Sequence, residues 1–288
     1  MFNCFFKFVT HLCDRYSFLR SGLLTQKLHP YYVRLRSILG NIKLAPDTEA
    51  IEFYAQNITR VDSVAKMLAD KQSRREYLGM IKFRQSQCMR DYPFYTPKEP
   101  EYFIHEATFG EDEVFVDCGA YDGDTINGFA KQCPHYKHIV AFEPDMYNFT
   151  KLKSKHGTNP CITLINAGVY DYDGEIHFCE QGDSCSKIGD ASGNGVTISV
   201  KAIDTLNIPK ITFMKMDIEG AELNAIKGAE KTIVRDKPKL AICIYHSNED
   251  MLRIPEYIHA LVPEYRLYVR HHSYFPSSGE TVLYALMP

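Results

Sequence analysis

The sequence predicts an α/β protein, a parallel sheet with helices on both faces that closes with a terminal antiparallel hairpin, preceded by a helical N-terminal region. Three observations carry this expectation. From Glu111 onward, short apolar runs alternate with stretches at helical spacing, the rhythm of a parallel sheet with crossover helices. Near the C-terminus two strand-like runs are joined by Ser273-Tyr-Phe-Pro-Ser-Ser-Gly279, too short a link for a parallel crossover, so those two strands pair antiparallel. Before residue 110 the strand rhythm is missing and apolar residues recur at helical intervals. Two regions follow, 1–110 helical and 111–288 α/β.

In the first region Asp47-Thr48, after Pro46, is a helix start, with Glu49 and Glu52 suited to the positive end of the helix dipole. Val61, Val64, Met67 and Leu68 share one helix face, as do Tyr77, Leu78 and Ile81 further on. Tyr92-Pro-Phe-Tyr-Thr-Pro-Lys-Glu-Pro100 breaks the pattern with three prolines and reads as an aromatic-rich connector. The α/β strands are expected at Val114–Asp117, His138–Phe142, Ile162–Asn166, Ile211–Met216 and Leu240–Tyr245, with the hairpin near 264–271 and 280–287. Helices are expected at 124–132, 145–156, 221–234 and 250–260. Between Asn166 and Ile211 lies an insertion, two strand-like runs (Glu175–Cys179 and Val196–Ala202) around a Gly-, Ser-, Asp- and Asn-rich loop at Gly182–Gly195 that reads as mobile.

The 288 residues suffice for one large core and a smaller unit, and 45% apolar with 24% charged residues is ordinary for a globular chain. A net charge of −3 gives no bulk attraction to nucleic acid or anionic lipid. The nine cysteines are odd in number, scattered and without a Cys-x-x-Cys pair, so neither a zinc site nor a disulfide framework is expected and a reducing cytoplasm fits. Met1-Phe-Asn-Cys-Phe-Phe-Lys-Phe-Val9 is short and interrupted by Lys7, which suits a packed helix rather than a signal peptide. No apolar run approaches the ~18 residues of a membrane span.

The richest chemistry lies in Val114-Phe-Val-Asp-Cys-Gly-Ala-Tyr-Asp-Gly123, followed by Asp124-Thr125 at a helix start. A buried strand that ends in a glycine turn and feeds a helix brings bare backbone close to a ligand. Glycine is needed there for close approach or for positive φ. A dinucleotide fingerprint would begin with Gly where this chain has Asp117, and a carboxylate there repels a pyrophosphate. It suits a ligand with a cationic group and a nucleoside, as S-adenosylmethionine has. Asp117, Gly119, Ala120, Tyr121, Gly123, Asp124 and Thr125 are therefore candidate cofactor residues. Glu143, followed by Pro144, ends the second strand, where an acid accepts hydrogen bonds from both ribose hydroxyls or, more plainly, begins a helix. Asn166 and Ala167 end the third strand; Asn166 reads an adenine edge or is an ordinary loop asparagine.

Lys215-Met-Asp-Ile-Glu-Gly-Ala-Glu222 is the second signal, because Lys215 and Asp217 alternate onto one face of a central strand that is normally apolar throughout. Asp217 and Glu219 are expected at the reacting centre, whereas Glu222 reads as a helix N-terminal acid. Lys215 is a desolvated base or the ion-pair partner of Asp217. His246 ends the fifth strand where a general base would stand, and Arg270-His271-His272 ends the sixth. Asp217, Glu219 and His246 are also a possible divalent-metal set, the less favoured reading.

These motifs resemble the FkbM-type S-adenosylmethionine-dependent methyltransferases, a class I methyltransferase (Rossmann-like) fold. The resemblance spans about 111 to 288 and rests on Phe115–Gly123, Phe142-Glu-Pro144, Ile203-Asp-Thr-Leu206, Phe213–Glu222, Ala241-Ile-Cys-Ile-Tyr-His246 and Glu280-Thr-Val-Leu-Tyr284. It implies an O-methyltransferase acting on a hydroxyl of a sugar or glycan, with S-adenosyl-L-methionine as cofactor. Charge and apolar run length give the expectation of no nucleic-acid partner and no membrane span, and the resemblance implies that the N-terminal helices cap the acceptor cleft or join a homo-oligomer. The expected order of proton acceptors is His246, then Asp217 or Glu219 directly or through a metal, then Lys215. Two competing classes are a dinucleotide-dependent sugar oxidoreductase, which Asp117 argues against, and a non-catalytic binding subunit of the same fold, which the joint presence of Asp117, Glu143 and Asp217 argues against.

Overall fold

The computed structural model describes residues 46–88, 90–93, 101–179, 195–273 and 277–288. The expected packed helix at Met1–Val9, most of the proline-rich connector and the glycine-rich loop at 182–195, but for its last residue, lie outside these. The chain divides into two compact units, Met1–Glu101 with Arg266–Leu283 and Tyr102–Tyr265 with Tyr284–Pro288.

In chain order the helices and strands begin with α1 (Thr48–Gln56), α2 (Ile58–Met67) and α3 (Lys71–Ser86). There follow β1 (Val114–Cys118), α4 (Asp124–Gln132), β2 (His138–Phe142), α5 (Met146–His156) and β3 (Ile162–Ile165). The insertion supplies β4 (Gly168–Val169), β5 (Gly174–Cys179) and β6 (Gly195–Lys201). The chain then forms β7 (Phe213–Met216), α6 (Glu222–Lys227), α7 (Glu230–Asp236), β8 (Lys239–Cys243), α8 (Asp250–Leu261), β9 (Arg266–His271) and β10 (Thr281–Leu286).

Among the described residues seven strands form one sheet in the order β3-β2-β1-β7-β8-β10-β9. β1 to β3, β7 and β8 pair parallel. The last strand in sequence sits between β8 and β9. Residues 272–280 are too short to cross over, so β9 and β10 form the expected hairpin. This is the class I methyltransferase layout. The order reverses between β1 and β7, so the crevice at the carboxyl ends of those two strands is where an open α/β sheet binds ligands.

The sheet's interior explains its strands. All five residues of β1 and all four of β7 are buried. Phe115 and Phe213 stack at 4.8 Å, and Phe129 from α4 lies 4.6 Å from Phe115. In the first unit α3 packs along β9. Its N-cap Asp70 accepts from the Ser73 amide at 2.6 Å and holds the Arg270 guanidinium at 2.9 Å. Glu76 accepts from the His271 amide at 2.8 Å. Burial pushes both His271 and His272 down to about 3, so each is a neutral packed imidazole rather than a proton carrier.

One expectation is corrected. The single helix at 221–234 is two, α6 and α7, broken at Gly228-Ala229. A Cβ on Gly228 would lie 2.0 Å from the Tyr170 carbonyl oxygen, and the Asp204 carboxylate takes the Lys231 and Thr232 amides that begin α7. The insertion's two expected strands are present: β5 and β6 pair antiparallel, β6 also pairs with β4, and the three form a sheet of their own.

Candidate active site

The turn after β1 is held against the turn after β7 and the end of β2. Gly119 has φ +86, and a Cβ there would meet the Asp217 carbonyl oxygen at 2.0 Å. Its amide and that of Ala120 both donate to the Phe142 carbonyl, at 3.0 and 2.9 Å. Gly123 has φ +90, and its Cβ space is filled by the His156 ring. Both glycines thus serve positive φ and protein-to-protein packing; the space beside them is not left for a ligand. Gly123 precedes α4, whose first residue Asp124 accepts from the amide of buried Thr125 at 2.7 Å.

Glu143 ends β2 with both carboxylate oxygens fixed by backbone. Oε2 accepts the Tyr121 amide at 2.8 Å and Oε1 the Asp145 amide at 2.9 Å. Burial raises its carboxyl despite those two bonds. The following helix is capped by Asp145, whose side chain takes the Asn148 amide at 2.8 Å, so Glu143 is not needed as the helix cap. Asn166 donates its amide nitrogen to the Glu143 and Pro144 carbonyls, at 2.8 and 3.1 Å. The group it can present to a ligand is therefore its amide oxygen. The Ala167 amide is bonded to the Ile165 carbonyl at 3.0 Å.

Asp117 and Lys215 are cross-strand neighbours on β1 and β7. They form an ion pair at 3.2 Å with side chains 0% and 3% exposed. Lys215 also donates to the Gly119 carbonyl at 2.7 Å. Burial would lower the ammonium's pKa, but Asp117 and Asp217 beside it hold it well above the usual lysine range. Lys215 is accordingly a fixed cation and not the desolvated base that the sequence allowed. Its contact partner is Asp117 rather than Asp217. Asp117, fully buried, faces Lys215 instead of solvent.

Four acidic and basic side chains gather at the ends of β7 and β8. The Asp217 carboxylate accepts from the hydroxyls of Tyr102, at 3.0 Å on Oδ2, and Tyr245, at 3.1 Å on Oδ1. Burial would raise its carboxyl, but Lys215, His246 and the two hydroxyls hold it below the usual carboxylate range. His246 turns Nδ1 to Glu222 Oε1 at 3.1 Å, and Nε2 to Asp217 Oδ1 and Glu219 Oε2, each at 3.6 Å. Burial would lower the imidazole's pKa; the three carboxylates, Glu222 foremost, raise it above its ordinary value. Glu222 is fully buried, and its Oε1 also takes the Ile218 amide at 2.8 Å. Glu219 stands at φ +58 with its side chain 90% exposed.

The structure thus brings Asp217, Glu219 and His246 together as expected for neighbouring strand ends, and adds three residues that sequence reasoning missed. The tightest metal-competent set is Asp217, Glu222 and His246, with Glu222 where the sequence suggested Glu219. Glu222 had a signal, the Glu-x-x-Glu spacing from Glu219, but it also fitted a helix start. Tyr245 stood beside His246 at the strand end. Tyr102 had no local pattern, although its φ of +67 is rare for an aromatic residue and points to an over-determined position.

A family model described as the methyltransferase FkbM domain matches residues 117–275. Among solved structures, methyltransferase FkbM from Methylobacillus flagellatus aligns at 29% identity and a TM-score of 0.66, covering 82% of this chain and 60% of that one. The chain therefore spans 60% of that relative's length. Two looser likenesses are a fibrillarin from Aeropyrum pernix with natively bound S-adenosyl-L-methionine (12% identity, TM-score 0.39, 64% of this chain and 70% of that) and an rRNA methylase from Streptococcus thermophilus (17%, 0.39, 62% and 88%). Both are too distant in shape to carry an argument. The curated proteins contain no match.

Proposed function

The chain belongs to the methyltransferase FkbM family, and from that premise we propose that it is an S-adenosylmethionine-dependent O-methyltransferase acting on a hydroxyl of a sugar or glycan. The observation that carries the reading is Glu143. Its carboxylate is immobilised by the amides of Tyr121 and Asp145, and each oxygen keeps a lone pair for a hydroxyl donor. The acceptor set suits a nucleoside. Glu143 accepts from ribose hydroxyls and the Asn166 amide oxygen accepts from an exocyclic amine. A dinucleotide's pyrophosphate would instead meet a turn carrying Asp122 and Asp124, which argues against the oxidoreductase. The clamped, ionised Asp217 beside His246 argues against a mere binding subunit, since binding alone needs no such pair.

Bound S-adenosylmethionine would supply a methyl group on a sulfonium leaving group. The protein's part is to orient the acceptor hydroxyl and remove its proton. His246 is the acceptor of that proton at Nε2. Glu222 holds Nδ1, and Asp217, kept ionised by Lys215 and by its two tyrosyl donors, steadies the imidazolium that forms. Such a positioned base contributes roughly 10²–10⁴-fold.

No described helix is long and apolar enough to cross a membrane. Cys118, Cys133 and Cys161 are free thiols, which supports placing the enzyme in the reducing cytoplasm. Self-association through the N-terminal region belongs to the same proposal. Titration calorimetry of the full chain tests the central reading. Saturable micromolar binding of S-adenosylmethionine and none of NAD is expected, with methylated products from a glycan panel detected by mass spectrometry. Tight NAD binding without any response to S-adenosylmethionine would overturn it.

A further inference from the structure

We propose that Asp217, Glu222 and His246 form a divalent-cation site set for a first-row transition ion such as Mn²⁺. One ligand atom from each residue lies within 4.8 Å of the others, close enough for a single ion to bridge. The second observation is the state of those atoms. Glu222 is 0% exposed and the His246 side chain 10%, yet among the described residues Glu222 Oε2 has no hydrogen-bond partner, and the His246 ring nitrogens have only carboxylate neighbours, at 3.1 Å on Nδ1 and 3.6 Å on Nε2, in place of well-formed hydrogen bonds. Orphaned buried polar atoms cost stability unless something pairs with them, and one ring nitrogen with one oxygen from each of Asp217 and Glu222 falls within the span a single ion can bridge.

Charge points the same way. Asp217, Glu219 and Glu222 surround a single imidazole, while Lys215 makes its ion pair with Asp117 at 3.2 Å. The cluster therefore calls for one more positive charge. Two carboxylates and one imidazole are the wrong donors for Mg²⁺ or Ca²⁺, which favour all-oxygen shells, and suit manganese, iron or zinc. The carboxylates are oriented as metal ligands are. The Tyr102 and Tyr245 hydroxyls donate to Asp217, and the Ile218 amide donates to Glu222. Asp217, with its side chain 25% exposed, leaves a side open for entry and for an oxygen from outside the protein.

The role of the ion rests on the methyltransferase reading. An acceptor hydroxyl bound at an open position would ionise on the metal, its proton passing to water. His246 would then be a ligand, and only in the metal-free protein the proton acceptor.

Mn²⁺ titrated into the full chain, with free Mn²⁺ followed by electron paramagnetic resonance, tests the site. One bound ion per chain at micromolar concentration is expected, weakened at least about 10-fold in Asp217→Asn and in His246→Gln. An equal concentration of Mg²⁺ should fail to displace it. Melting curves of both variants accompany the titration, and either variant alone decides if the other fails to fold. Absence of saturable uptake, uptake unchanged by both substitutions, or ready displacement by Mg²⁺ overturns the proposal. Calorimetry with S-adenosylmethionine on the same metal-free samples keeps the two readings apart. Cofactor binding without Mn²⁺ binding removes only the metal site, and the reverse removes only the cofactor reading.

Discussion

Replacing Glu143 by glutamine separates ligand recognition from fold at one atom. The carboxylate now receives two backbone amides, from Tyr121 at 2.8 Å and Asp145 at 2.9 Å. A glutamine presents one carbonyl oxygen and one NH₂, so one of those amides loses its acceptor and faces another donor. An unmet buried amide costs about 1–3 kcal/mol. Two ribose hydroxyls bonded to a carboxylate are together worth roughly 3–6 kcal/mol, while the amide side chain offers at most one neutral bond of about 1 kcal/mol. Affinity for S-adenosylmethionine should therefore fall by about 2–5 kcal/mol, on the order of 10²-fold or more, with a melting point lowered by several degrees. Calorimetry on folded Glu143→Gln measures the first and differential scanning the second. An unchanged dissociation constant beside a lowered melting point would refute the ribose assignment and leave Glu143 as a structural brace of the turn.

Four further outcomes are expected. Because its three carboxylate neighbours raise the His246 pKa, kcat/KM of the metal-free protein should climb with pH through a value above 6.5, a dependence absent in His246→Gln. The imidazolium's stabilising contacts are fully present below about 6.5 and fade as pH rises through the folded value, so the same variant should lose more stability at pH 6 than at pH 9 in thermal melts. Gly119→Ala should destabilise far more than Gly220→Ala: both have positive φ, about 1–2 kcal/mol of strain, but only at Gly119 does the Cβ meet backbone, at 2.0 Å against 3.6 Å from His246 Cβ. Equal losses in denaturant unfolding would show that the two turns part easily. Lys215→Met should destabilise by about 3–5 kcal/mol by leaving Asp117 buried without its partner, and Asp117→Asn with Lys215→Met should recover most of it; a double variant no better than the single would mean that the pair is not the reason both residues are there.

What could be read from the sequence was whatever repeats along the chain. Strand alternation located β1, β2, β7 and β8 to within a few residues, and their carboxyl ends located Glu143, Asp217 and His246. The hairpin followed from the length of its link. What could not be read depends on residues that meet only in the folded chain. The hydroxyl that clamps Asp217 comes from Tyr102, 115 residues earlier, in an irregular stretch with no period to betray it. The break between α6 and α7 is imposed by the Tyr170 carbonyl against Gly228, a contact invisible in a run of good helix formers. Glu222 looked like a helix-start acid because it is one; its second face, toward Nδ1 of His246, depends on how β8 lies beside β7.

Lys215 explains why the edge of the sheet can carry so many acids. The register of β1 against β7 sets Asp117 opposite Lys215, and the alternation of a strand puts Asp217 on the same face two residues on. Two ionised carboxylates buried this closely would drive one to take a proton. The Lys215 ammonium counters that pressure by staying charged, most fully at Asp217, whose carboxyl it holds down, whereas burial still raises that of Asp117. Were Lys215 to give up its proton in a reaction cycle, Asp117 would be stranded in the core and Asp217 would lose the field that keeps it ionised beside His246. A residue that the sequence allowed as a base is thus the one the fold can least spare as a cation, and in the proposed reaction the proton goes to His246 or is released on an ion that His246 helps to hold.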